Sequence, residues 1–134
     1  MMLNIRFRPT CNKEEKYMRV VDKYRFFWIC LRRLGITSNY TGFYFLVDII
    51  NMVINENCEL KNMYKNFYPV VAKRFDKKPC SIERDIRIII KNLWDVRLRS
   101  RMEKYWSGSS EPRCKEFVKI LLDYVNDSWE YYAS

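Results

Sequence analysis

Apolar residues recur at helical spacing along nearly the whole chain, and this pattern leaves little room for anything but packed helices. Tyr17, Val20, Val21, Tyr24, Phe27, Trp28, Leu31 and Leu34 advance by three, one, three, three, one, three and three residues and trace one stripe. Asn12 precedes this stretch as a capping residue, with Glu14 and Glu15 in the first turn where negative charge is favoured. Arg32 and Arg33 close it, and Gly35 follows in the place of a left-handed C-terminal cap. With three glycines and four prolines in 134 residues, an all-β chain full of tight turns is a poor fit. The reading is a single all-α domain over 13–134 behind an irregular segment, 1–12, with about six helices and no winged helix.

A second helix is expected at about Tyr40 to Asn55, where Gly42 weakens the start unless another element must come close. A third stretch, about Glu59 to Phe75, contains Pro69. It is expected either to kink there or to split in two with Pro69 in the first turn of the second piece. Asp76 to Pro79 reads as a tight polar turn. The next helix, about Ser81 to Arg97, buries Ile82, Ile86, Ile89, Ile90, Leu93 and Trp94. At roughly 100° per residue, Arg84, Arg87 and Lys91 then share the opposite face with the apolar Ile88. Arg99 to Trp106 is basic and aromatic, and a last helix runs from Pro112 to about Trp129.

Charge narrows the partner. The net charge is +9, and it is clustered. Residues 59–106 hold thirteen Lys/Arg against six Asp/Glu, and residues 1–39 hold nine against three. Such fields draw polyanions, and phosphate backbones are the commonest of these. A solvated basic surface explains the charge alone equally well. The five cysteines are widely spaced and histidine is absent, which argues against a zinc site and for reduced thiols in a cytoplasmic protein. No nucleophile motif or phosphate-binding glycine loop is present, so no enzyme activity, cofactor or small-molecule substrate is expected. Neither a signal peptide nor an apolar run of membrane-spanning length is found, so no membrane partner is expected.

The stretch Tyr68 to Arg87 has the layout of a helix-turn-helix, placed at about 68–97. A small residue, Ala72, allows a close crossing, and the first buried residue of the next helix, Ile82, follows ten positions later. In this layout the second helix enters the major groove of double-stranded DNA, where an arginine fork can donate two hydrogen bonds to guanine. Lys73, Arg74, Lys77, Lys78 and Lys91 are assigned to phosphates, and Arg97, Arg99 and Arg101 with Tyr105 and Trp106 form another basic-aromatic patch.

From Leu31 onward the chain also resembles the C-terminal DNA-binding effector domain of the master sporulation transcription factor of endospore-forming Firmicutes. The matching stretches are LRRLGI (31–36), TGFYFLVDIINMV (41–53), FYPVVAKRF (67–75) and SIERDIRIIIKNLW (81–94), about three quarters of the chain. The resemblance implies a six-helix domain that binds DNA as a homodimer, with RNA polymerase as a further partner. By position it implies that Arg84 and Arg87 read or clamp DNA, and that Glu83 either accepts a hydrogen bond from a base amino group or orients Arg87 four residues on. Ser81 stands where the family has a further arginine, Ile88 where it has histidine, and Cys80 where it has a capping serine. Ser81 and Ile88 are therefore included in the reading set, with Ile88 able to pack on a thymine methyl. No receiver domain is expected ahead of the module, so control by phosphorylation within the chain is not expected. The altered positions also suit a rival reading, in which the fold is kept but a related regulator or RNA polymerase is bound instead of DNA. A third reading is a binder of nucleic acid or anionic membrane driven by charge alone.

Overall fold

The computed structural model describes the backbone of residues 13–108 and 110–133, and the side chains of residues 23–108 and 110–130. The expected Asn12 cap, the segment 1–12 and the side chains of Tyr17, Val20 and Val21 lie outside the described residues. Among those described there are six α-helices and no strand. They are α1 (Lys13–Arg33), α2 (Thr41–Ile54), α3 (Met63–Asn66), α4 (Tyr68–Arg74), α5 (Pro79–Leu93) and α6 (Cys114–Ala133). A π-helical turn, Trp94–Leu98, continues from α5.

Burial follows the apolar stripes in the main, but Tyr24 of the expected α1 stripe is exposed, and Phe26 and Cys30 beside that stripe are buried instead. Phe27, Leu31 and Leu34 of α1, Phe43, Leu46 and Ile50 of α2, and Phe117 and Leu121 of α6 are in one core with the isoleucines of α5. α5 packs on α2, α4 and α6, and so stands at the centre of the fold. Gly42 explains how α2 and α5 come together. A Cβ at this position would lie 2.6 Å from the backbone oxygen of Asp85 and 2.9 Å from Cδ1 of Ile89. The glycine is there because the two backbones touch.

Two helix ends close in the same way. After α1, Gly35 takes φ +88°. The Ile36 amide donates to the Leu31 carbonyl (3.0 Å) and the Gly35 amide to that of Arg32 (3.0 Å). This satisfies carbonyls that a helix end otherwise leaves open. After α4 the left-handed residue is Asp76, with φ +53°. Its successor, Lys77, donates to Ala72 at 2.8 Å. An L-residue with a side chain is less at ease here than glycine. Asp76→Gly is therefore expected to stabilise the domain by about 0.5–1 kcal/mol. A urea melt reads this as a raised midpoint, and a lowered midpoint would contradict it.

The third stretch takes the second of its two expected forms, with Pro69 in the first turn of α4. α3 starts at Met63, later than the expected Glu59. Two boundaries of the reading helix also differ. α5 begins at Pro79 rather than Ser81, so Lys78 is the cap residue and Cys80 lies inside the first turn. The missing amide of proline costs nothing at a first helical position, where that amide has no partner anyway. The α-helix then ends at Leu93 instead of reaching Arg97. There the Arg99 amide reaches back five residues to the Trp94 carbonyl at 2.7 Å, a wider turn that leaves both Trp94 and Leu98 buried.

The cysteines differ in access. Cys30 and Cys114 are buried, Cys58 is half-buried and Cys80 is exposed. Burial pushes the Cys30 thiol up to about 12 and, as the larger cause, the Cys114 thiol up to about 11. Thiolate is the reactive form. Among these four, a maleimide at neutral pH is thus expected to modify Cys80 first, then Cys58, and to reach Cys30 and Cys114 only in denaturant, as read by peptide mapping. Rapid labelling of Cys30 in the native protein would contradict the packing described.

Candidate nucleic-acid interface

α4, the turn Phe75 to Lys78, and α5 form the helix-turn-helix. Ala72 is buried on α4 and Ile82 on α5, as the close crossing requires. With Ile82, Ile86, Ile89 and Ile90 turned into the core, the other face of α5 must meet solvent. Arg84 and Arg87 have side chains 60% and 51% exposed, and Lys91 is also exposed. Ile88 stands among them at 43% exposure, an apolar group on a cationic face. Ser81 is half-exposed near the start of α5. The structure thus brings Ser81, Arg84, Arg87, Ile88 and Lys91 to the outer side of one helix, as the periodicity requires.

Glu83 occupies the edge of this face. Its side chain is only 19% exposed and accepts a hydrogen bond from Arg87 Nη1 at 2.8 Å, four residues on along the helix. Its other carboxylate oxygen accepts the hydroxyl of Tyr64, from α3. Beneath it, the Cys114 thiol of α6 donates to the Glu83 backbone carbonyl at 3.6 Å. Arg84 has a looser contact with its neighbour Asp85, at 3.8 Å. Tyr64 had no place in the sequence reading. It lies 19 residues before Glu83 on another helix, and such a contact leaves no periodic or local trace.

The flanking cations divide. Lys73, Lys77 and Lys78 are exposed around the turn. Arg74 is also exposed but is held by carboxylates instead. It pairs with Asp48 of α2 and, at 3.8 Å, with Glu56 just beyond it, so it ties α4 to α2. Burial raises the Asp48 carboxyl above its usual range, and the Arg74 charge offsets this only in part. Three members of the basic-aromatic patch are also committed to structure, while Arg97 and Arg99 stay exposed. Arg101 donates to the Arg33 carbonyl at the end of α1 (2.6 Å), Tyr105 donates to Asp127 (2.8 Å), and Trp106 donates to the Ser110 carbonyl (2.9 Å).

An exposed row of cations on the second helix of such a pair is the arrangement of helix-turn-helix domains that bind nucleic acid. Residues 28–125 match the family described as "Sporulation initiation factor Spo0A C terminal". The chain belongs to that family, whose members are DNA-binding effector domains of a sporulation regulator. No helix among the described residues is long and apolar enough to cross a membrane.

Proposed function

We propose that the domain is a sequence-specific DNA-binding regulator of transcription, without enzymatic activity, that lays α5 in the major groove of double-stranded DNA. The observation that carries this reading is the outward row Arg84, Arg87 and Lys91, opposite a face of buried isoleucines. Glu83, Arg84 and Arg87 read base edges, with Ser81 and Ile88 completing the contact surface. Lys73, Lys77, Lys78 and Lys91 hold phosphates. The start of α5 favours this too, since it has no side-chain cap and adjoins Lys77 and Lys78, and a phosphate suits the positive end of a helix. The domain acts in the cytoplasm, pairs with a second copy on DNA, and contacts RNA polymerase from there.

Selection from a randomised duplex pool tests the reading. An enriched motif is expected, with the logarithm of affinity falling against that of salt with a slope of about −3.6 if four phosphates are held. Retention without a motif would leave only charge-driven binding. The exposure of Ile88 favours one second reading, a protein-interaction module, and retention of no duplex at all would support it.

A further inference from the structure

We infer that Tyr64 is a positioning residue for base recognition: through Glu83 it holds the Arg87 guanidinium in one orientation at the edge of the outer face of α5, in competition with a second carboxylate of the same cleft, Glu111. The inference rests on the DNA-reading role proposed for Arg87. An arginine can read a guanine only when its fork is presented in one orientation, because two hydrogen bonds must form together. A long side chain on an exposed helix face does not hold one orientation unaided. Glu83 supplies the restraint, since one of its oxygens accepts from Arg87 at 2.8 Å. Glu83 is itself restrained by the Tyr64 hydroxyl on its other oxygen. Tyr64 in turn is held by its ring, which stands edge-on to the buried Tyr68 with centroids 5.0 Å apart. The chain of contacts runs from core to helix face.

The restraint has something to oppose. A cleft of about 600 Å³ opens beside α5, between α3 and the segment leading into α6. Arg87, Glu83 and Glu111 all line it. Freed from Glu83, the Arg87 side chain has a second carboxylate to turn towards, inside the cleft and off the reading face. The Tyr64 hydroxyl keeps Glu83 in place and so keeps Arg87 at the mouth of the cleft, on the edge of the reading face.

Tyr64→Phe tests this, because it keeps the ring on Tyr68 and removes only the hydroxyl. The position read by Arg87 is first found as the one whose preference Arg87→Ala erases. At that position Tyr64→Phe is expected to lower the preference about three- to tenfold, a part of what a well-made two-bond contact supplies. Affinity for random duplex, its salt slope and the melting temperature are expected to stay the same. In the free protein, the Arg87 Nε–Hε signal should show a lower heteronuclear NOE in the variant. Adding Glu111→Gln to Tyr64→Phe is expected to restore the preference. Unchanged preference, a uniform loss across all duplexes with a lowered melting temperature, or no recovery in the double variant would overturn the inference. A wild-type protein that enriches no motif would overturn the DNA reading and this inference together. A wild-type motif indifferent to Tyr64→Phe would overturn the inference alone.

Discussion

Gly42→Ala is expected to destabilise the domain by about 1–3 kcal/mol, the usual cost of overpacking a close contact. The sign runs against helix propensity. In an unhindered helix interior the same change gains roughly 0.5–1 kcal/mol, because alanine has less backbone freedom to lose on folding. Here the added carbon would lie 2.6 Å from the Asp85 carbonyl oxygen and 2.9 Å from its carbonyl carbon. Both belong to backbone, so relief requires α2 and α5 to separate, which also disturbs Ile89. A urea melt should show a lower midpoint with an unchanged slope. A variant as stable as the parent would mean that the two helices do not approach as described.

Arg84→Ala is expected to weaken binding to the preferred duplex by about 1–3 kcal/mol, or roughly 5- to 150-fold, and to relax preference at one base pair. Binding to random duplex should change far less. The side chain is 60% exposed and its recorded ion pair is a loose one with Asp85, so folding should stay within about 0.5 kcal/mol of the parent. Lys91→Ala is the useful contrast. If Lys91 holds a phosphate, its loss weakens all sequences alike and makes the salt slope shallower by about one. Fluorescence anisotropy with matched and single-base-altered duplexes separates the two patterns. Equal loss on all duplexes from Arg84→Ala would move Arg84 to the phosphate group, and no loss would remove it from the interface.

Much of this architecture is legible in the residues, because it depends on period and on a few special positions. The Phe27, Leu31 and Leu34 stretch of α1, the Gly35 cap, a break near Pro69 and the outward cations of α5 follow from spacing and backbone chemistry, whereas the choice between a kink and a division at Pro69 does not. What escaped depends on tertiary context. Pro79 reads as a turn residue, since a proline after two lysines looks like the end of a loop, yet it is the first residue of α5. Trp94 and Leu98 fit a continuing helix equally well, and only the packed core shows that the chain takes a wider turn there. Arg74 looks like its neighbour Lys73 in sequence, but its partners Asp48 and Glu56 lie on and just beyond another helix. Tyr64 is missed for the same reason.

The division of α5 into an anchored side and an open side has a consequence for how such a domain changes over time. Side chains that hold the rod in place and side chains that meet a partner belong to largely separate sets. Exchanges at 81, 84, 88 and 91 leave the isoleucine anchor and the Gly42 contact untouched, so new binding preferences can be explored with little risk of unfolding. Ser81 and Ile88 stand on that open side, clear of the isoleucine anchor and the Gly42 contact.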